Sequence, residues 1–368
     1  MIHPVTTIFL QQLKKINTMN ISHNFFLYFK NNEPVLFNYK EKKEYSVRKE
    51  YLKALIDHSN TGEEKTNEDI IVRDFINADI LTDKNNLETP YLNYYAHIFH
   101  NITKDTSVTM SDSTEEEWAG QYLEVCKRVK QEPLPKRGTV EDFEVVIKLP
   151  APDEINLNLV DTLKKRKTVR EFEETEVDIR QLSNLLFYTF GYIHGEEKEY
   201  GEFRRRSSPS GGCLQIIEPY ITIFNVEGVE KGVYWYEPET HSLCKVTDEF
   251  SYQDLRDCLA GQFFGNKCSF GVFFAANLEV LAWKYKTPRN YKVVYLEAGH
   301  FSQTSQLIAV TQSLNTWITG AFTESAIEKL CQMDGIKKIP VFFTAYGKGE
   351  LLSMHSIMRK KLDEYSTN

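Results

Sequence analysis

Three short stretches of this chain gather residue types that could do chemistry. The first is Arg166-Lys167-Thr168-Val169-Arg170, with three cations and one hydroxyl in succession. A dianion needs cations and hydroxyl donors converging from one segment, and this run supplies both. Taken alone, such a pattern is more often a solvated surface. The second is Ser207-Ser208-Pro209-Ser210-Gly211-Gly212. Glycines carry no Cβ, so another group can approach that backbone closely; an ordinary Ser/Gly loop has the same composition. The third is Lys284-Tyr285. A free lysine is protonated at neutral pH and serves as a base only if burial lowers its pKa. As an isolated dipeptide, Lys-Tyr is a surface feature.

The elements that would position these groups centre on one helix. Pro288 breaks the chain, and from Lys292 onward the pattern is helical and apolar up to Leu314. Ala298, Ser302, Ser305 and Ala309 recur at steps of four, three and four, so small residues share a face. Such a face admits a backbone, a helix or a flat ring. Gly299 costs about 1 kcal/mol against alanine in a helix interior, which predicts a packing reason for it. The helix is expected to be central and buried on most sides. Around it, Leu159 to Lys165 and Ile179 to Thr189 read as helices, and Glu196 to Arg206 as a charged loop. Ile216 to Phe224, Phe270 to Ala275 and Pro340 to Ala345 read as strands. Gly232 to Tyr236 and Ser242 to Val246 form a hairpin around Glu237-Pro238-Glu239-Thr240-His241.

The first third reads differently. Residues 1–20 form a short amphipathic lead. Phe25 to Phe29 and Val35 to Tyr39 flank a polar Asn31-Asn32 turn, which predicts a β-hairpin. Helical spacing follows over Val47 to Ile56 and again over Asn67 to Ala78. Strands and short helices in so small a unit resemble a winged helix. Acidic residues outnumber basic ones there, which favours protein or peptide over DNA as its partner. A structural cap on the remainder fits equally well. Tyr91 to Asp105 reads as a Tyr- and His-rich connector, residues 105–117 as a solvated stretch, and Trp118 to Val129 as a helix. Glu132 to Gly138 and Pro150-Ala151-Pro152 read as linkers.

Composition narrows the classes. The 368 residues carry a net charge of −8 with no basic block, which disfavours nucleic acid. Six cysteines are scattered without a Cys-x-x-Cys pair, so neither a disulfide framework nor a zinc site is indicated, and no metal is expected. No signal-peptide pattern and no membrane-length apolar run occurs, so a cytoplasmic chain with no membrane partner is expected. Gly-x-Gly-x-x-Gly after a strand, a Walker motif and a Gly-x-Ser-x-Gly elbow are all missing.

Read together, Trp283-Lys284-Tyr285, Arg289, Leu296-Glu297-Ala298-Gly299-His300 and Gln303 resemble the SagB-type branch of the nitroreductase fold. That branch holds FMN-dependent azoline dehydrogenases of ribosomal peptide biosynthesis. The resemblance extends over Leu149 to Gly349, and Gly-Val-Tyr-x-Tyr-x-Pro-x-x-His-x-Leu from Gly232 to Leu243 shares it. It departs at Thr304, where asparagine is common, and at the ending Gly347-Lys348-Gly349. The resemblance implies an α+β, nitroreductase-like FMN fold with a central mixed or antiparallel sheet flanked by helices. The expected division is a winged-helix-like domain over 1–90, a helical connector over 91–152 and the FMN domain over 153–368.

It further implies that Arg166, Lys167, Thr168, Arg170 and Lys348 hold the FMN phosphate. Pro209, Ser210 and Gly211, and a third segment at Thr319, Gly320 and Ala321, would meet the flavin. Lys284 and Tyr285 would be the catalytic pair. The implied reaction turns a thiazoline or oxazoline into an azole: a carbon-bound hydrogen leaves as hydride to the flavin while a base takes a ring proton. The implied partners are a precursor peptide, a cyclodehydratase and a second copy in a homodimer. A small-molecule FMN oxidoreductase using a nicotinamide donor, and a non-catalytic scaffold subunit, are the alternatives.

Overall fold

The computed structural model describes residues 19–61, 70–83, 92–105, 114–156, 158–198 and 201–366. Most of the amphipathic lead, the start of the second N-terminal helix at Asn67 and much of the 105–117 stretch lie outside them. The chain forms two compact units, Met1–Thr109 and Met110–Asn368.

In the first unit β1 (Asn20–Ile21) pairs with β5 (Leu81–Thr82), and β2 (Phe25–Lys30), β3 (Glu33–Asn38) and β4 (Lys43–Ser46) make an antiparallel sheet. The expected hairpin turns at Asn31 and Asn32, both at positive φ (52° and 65°), as a tight two-residue turn requires. Helices α1 (Lys49–Thr61), α2 (Ile70–Asn77) and α3 (Tyr94–Thr103) complete the unit. Phe25, Leu36, Leu55, Val72, Phe75 and Leu81 form its core.

The second unit opens with α4 (Glu115–Val129), whose Thr114–Glu117 capping box turns the end of the Ser/Thr/Glu-rich stretch into a helix start. Strand β6 (Val146–Lys148) and helices α5 (Leu159–Lys165) and α6 (Ile179–Phe190) follow. The expected charged loop is instead a hairpin, β7 (His194–Lys198) with β8 (Gly201–Arg205). Then come β9 (Ile217–Ile223), β10 (Gly232–Glu237), β11 (Ser242–Thr247), α7 (Tyr252–Cys258) and β12 (Phe270–Asn277). Helices α8 (Leu278–Lys284) and α9 (Asn290–Thr311), β13 (Asn315–Thr319), α10 (Glu324–Leu330), β14 (Lys338–Gly347) and α11 (Ser356–Ser366) close the chain.

One seven-stranded sheet organises this unit, in the order β13-β14-β12-β9-β10-β11-β6, with every adjacent pair antiparallel. Side chains alternate between two cores, as the pleat demands. Phe270, Val272 and Phe274 of β12 face the core shared with α6 and α9, while Phe273 and Ala275 face the one shared with α7 and α10. The segment from α4 to β6, read from sequence as connector, therefore lies in the same compact unit as the sheet, and β6 is its edge strand.

The long helix α9 corrects two expectations. Its small residues Ala298, Ser302, Ser305 and Ala309 are all buried, as the spacing predicts. However, Tyr295 and Leu296 are 48% and 62% exposed, so the helix is buried on one face rather than on most sides. Gly299 lies on the open side with nothing within 4 Å of a Cβ among the described residues, so their packing gives no reason for the glycine.

The histidine of the β10–β11 hairpin motif is a structural tie. His241 Nδ1 meets the Tyr236 hydroxyl at 2.8 Å and Nε2 meets Ser183 Oγ at 2.7 Å, while Ser183 donates to the Pro150 carbonyl. This network joins the hairpin to α6 and to the chain after β6. Burial pushes the imidazole down from its ordinary 6.5 to about 4. Between those values the unfolded chain binds a proton that the folded chain refuses, so stability falls as pH drops from 6.5 to 4. In His241→Gln that slope should flatten, as read from denaturant midpoints across this window. An unchanged slope would assign the acid sensitivity to other groups.

Candidate functional site

The loop Ser208–Gly212 is fastened along one face of α9. Ser210 Oγ donates to Glu297 Oε2 at 2.7 Å, His300 Nδ1 meets the Pro209 carbonyl at 3.2 Å, and Ser208 Oγ meets Thr304 Oγ1 at 2.7 Å. Positions 297, 300 and 304 repeat at helical spacing, so one ridge carries all three contacts. Glu297 is 2% exposed, and its other oxygen accepts from the Ile217 backbone at 3.4 Å. Burial raises its pKa, opposed by the Ser210 hydrogen bond and by the Arg206 charge. Ser210 Oγ also accepts from the Gln215 backbone at 2.8 Å, which ties both ends of the loop to one carboxylate. The departure at Thr304 is thus accommodated by a hydroxyl pair.

Lys284 ends α8 and Tyr285 caps it, donating its backbone N–H to the Leu281 carbonyl. Both side chains come down on Gly212. A Cβ at Gly212 would lie 2.5 Å from the Tyr285 hydroxyl and 2.9 Å from Lys284 Nζ, and its φ of +62° independently favours glycine. Lys284 Nζ lies 3.5 Å from the Gly212 carbonyl and 3.4 Å from the Tyr122 hydroxyl. It sits 5.6 Å from the ring centres of both Tyr122 and Tyr285. Tyr122 projects from α4, where it stacks on Trp118 at 5.4 Å and 6°.

This environment corrects the expected fall of the lysine pKa. Burial pulls the Lys284 ammonium down, but the Tyr285 and Tyr122 phenols outweigh it, and the pKa is raised above the ordinary lysine value. Burial likewise pushes the Tyr285 phenol up, beyond what Lys284 offsets. At neutral pH the pair is an ammonium beside a neutral phenol.

The basic segment divides. Arg166 reaches Gln306 of α9 at 3.4 Å, Lys167 is exposed, and Thr168 bridges to Thr316 of β13. Arg170 donates to the Ser353 carbonyl at 2.6 Å, and Lys348 to the Glu176 carbonyl at 3.3 Å. Arg166 and Ser208 therefore attach to α9 within one turn of each other, at Gln306 and Thr304. The third segment makes a different corner: Thr319 Oγ1 lies 3.3 Å from Gln262 and accepts from the Ala321 backbone, while Gly320 faces Phe342. Sequence reasoning missed Tyr122 and gave Glu297 and His300 no role. The aromatic i, i+4 pair Trp118–Tyr122 was a legible signal for an aromatic face, but nothing in sequence linked it to Lys284.

Residues 163–348 match the Nitroreductase family, and the chain belongs to it. A Methanocaldococcus jannaschii protein assigned by name to the nitroreductases is 32% identical over 202 residues, 55% of this chain and 96% of that one. Trifolitoxin-processing protein TfxB of Rhizobium leguminosarum bv. trifolii is 28% identical over 138 residues, 36% of this chain; TfxF is 27% identical over 160 residues, 44% of this chain. This chain spans 37% and 53% of those two relatives' lengths. A solved chain of the E. coli microcin synthetase McbBCD complex is 20% identical at a TM-score of 0.41, over 67% of this chain and 99% of that one.

Two substitutions probe the site. Gly212→Ala should cost about 1–2 kcal/mol in backbone strain and displace the Lys284–Tyr285 pair while the fold persists. Tyr122→Phe should leave stability near wild type and lower the Lys284 pKa, read from the pH dependence of lysine acetylation by mass spectrometry. An unshifted Lys284 would remove Tyr122 from the site.

Proposed function

We propose that this nitroreductase-family chain is an FMN-dependent dehydrogenase that oxidises thiazoline or oxazoline rings in a ribosomally made peptide, alongside a cyclodehydratase. The observation that carries this reading is the convergence of Lys284 and Tyr285 on Gly212, in a loop held by buried Glu297. The two trifolitoxin-processing relatives support peptide processing as the setting.

The residues present fit a flavin mononucleotide. Gly211 and Gly212 let the loop run close to α8 and α9: a Cβ on the first would meet Val293 at 3.2 Å, and one on the second would strike Lys284 and Tyr285. Arg166, Lys167 and Thr168 would hold the phosphate, the Arg166 guanidinium making a long 3.4 Å contact to Gln306. Arg170 and Lys348 support that edge through the backbone carbonyls they already bind. When bound, FMN accepts the two electrons and the carbon-bound hydrogen that aromatisation releases. The chain's own task is to hold the ring over Gly212 and to move the second proton. Lys284 is the group for that transfer, with Tyr285 steadying it; because its pKa is raised, its proton-accepting form grows only toward alkaline pH.

The first unit is the candidate contact for leader peptide or partner protein. A homodimer is the second element of the reading, supported by the exposed Tyr295 and Leu296 of α9 beside open Gly299. The M. jannaschii relative, covered almost completely, favours a second reading as a small-molecule oxidoreductase.

The purified protein should be yellow and dimeric, and Arg166→Ala should lose FMN on dialysis, each charge-assisted bond being worth about 1.5–3 kcal/mol. Lys284→Ala should keep a flavin that dithionite reduces, yet lose about 10²–10⁴-fold in azoline oxidation. The wild-type rate should climb on the alkaline side, with that limb missing in the variant. Near-wild-type turnover by Lys284→Ala would remove the assignment, and nitroarene reduction without azoline oxidation would select the second reading.

A further inference from the structure

A cleft of about 630 Å³ opens beside the candidate site, between the strap Leu134–Glu141 and the sheet. It exists because β9 and β10 part. Their ladder runs from Gly232↔Ile223 to Trp235↔Tyr220 and ends there, although β10 continues to Glu237 and β9 begins at Ile217. Pro219, next in line on β9, has no N–H to extend it. The outer edges stay paired, Ile217 with Ala276 and Glu237 with Ser242, so the gap lies inside the sheet.

The buried charges of this cleft are held by the chain itself, while the exposed Lys136, Glu141 and Glu239 also line it. Arg137 donates to the Gln215 and Leu214 carbonyls, and Arg206 to the Ile217 carbonyl at 2.6 Å. Glu218 pairs with Lys338 at 2.8 Å and accepts from Asn277 at 2.9 Å. Glu237 accepts from the backbone of its own turn at Glu239 and Thr240. Three buried polar atoms remain without a partner. Arg206 Nε, Trp235 Nε1 and Gln215 Oε1, on residues at most 5% exposed, have no hydrogen-bond partner among the described residues. Two donors and one acceptor, among the flat surfaces of Pro135, Pro219, Trp235, Tyr236 and Pro238, match the alternating C=O and N–H groups of a peptide backbone.

The cleft and the catalytic pair share a segment. Cys213, Leu214 and Gln215 of its wall directly follow Gly212. The strap continues from Glu132, whose carbonyl accepts from Trp283 Nε1 at 3.0 Å, one residue before Lys284. Resting on the peptide-oxidation reading above, we propose that this cleft is a subsite for an extended, uncharged stretch of the substrate peptide flanking the ring at Lys284–Tyr285.

Two arms test it on the full-length holoprotein. In the first, acetyl-Gly-Ser-benzoylphenylalanine-Ser-Gly-amide is photo-crosslinked and mapped by mass spectrometry, beside the same probe with aspartate for both serines. The neutral probe should label Leu134–Glu141 or Trp235–Thr240, and the acidic probe much less. Labelling should fall about fivefold in Trp235→Phe, the worth of one hydrogen bond, and further in Pro135→Glu, which sets an unmatched charge in the wall. No labelling there, or labelling indifferent to probe charge and to both variants, overturns the proposal. In the second arm, kcat/KM for a capped single thiazoline is compared with the same ring flanked by Gly-Ser-Gly. Wild type should prefer the flanked ring, and Trp235→Phe should lose that preference while oxidising the single ring normally. If wild type oxidises neither ring, the oxidation reading fails and the crosslinking arm alone decides the cleft. If it oxidises both rings without preference and no crosslink forms, the cleft proposal fails and the oxidation reading stands.

Discussion

The contact on which the rest of the site depends is the one between Ser210 and buried Glu297. A carboxylate that is 2% exposed persists only if its oxygens are hydrogen-bonded, and both are: one by Ser210, the other by the Ile217 backbone. Ser210 in turn receives the Gln215 N–H. A loop with two adjacent glycines would otherwise have many conformations, and this network selects one. The selected conformation turns Gly212 toward α8 with a positive φ and leaves just enough room for Lys284 and Tyr285. The wall of the cleft begins at the next residue, Cys213, on the same tethered segment. Site and cleft are therefore positioned by one anchor on α9 rather than by independent elements.

The sheet explains why α9 can be that anchor. Its small residues seat it against β12, β14 and α6, so its inner face is fixed by packing, while its other residues remain free for polar contacts and for solvent. Alternation along β12 sends aromatic residues to both cores, which makes the sheet stiff on either side. Against that background, the parting of β9 and β10 is a local exception with a local cause. Pro219 ends a ladder, and Arg206 caps the Ile217 carbonyl of β9.

Most of the fold was legible because its signals are local. The Asn31-Asn32 turn, the helical period after Pro288 and the Gly-Val-Tyr hairpin each fix their element within a few residues. The losses were of two kinds. The 194–205 hairpin is charged rather than alternating in hydrophobicity, so the period-2 signal was missing and it read as loop. Long-range contacts left no local trace either. Tyr122 lies 162 residues from Lys284 in sequence and meets it at 3.4 Å, and no spacing rule predicts such a meeting. The resemblance assigns the whole basic run to the phosphate, but sequence adjacency does not say where each side chain goes. Arg166 reaches α9 and Arg170 the tail after β14.

The raised lysine pKa shifts attention to α4. A protonated Lys284 beside two neutral phenols is a stable resting arrangement, and it is Tyr122, with Tyr285, that tips the balance against desolvation. Yet α4 buries none of its residues; it meets the rest of the unit at Tyr122, and just past its end Glu132 makes the Trp283 hydrogen bond and a 4.0 Å exposed ion pair with Lys286. Exposed pairs of that kind contribute little, and elements with few buried contacts open at low free-energy cost. On the oxidation reading proposed above, a ring bound over Gly212 would compete for space next to Lys284 Nζ, where the Tyr122 hydroxyl lies at 3.4 Å. Displacing Tyr122 removes one of the groups that raise the lysine pKa and leaves the desolvation that lowers it. If Lys284 is the base of the oxidation proposed above, a substrate that displaced Tyr122 would also ease the loss of the lysine's proton.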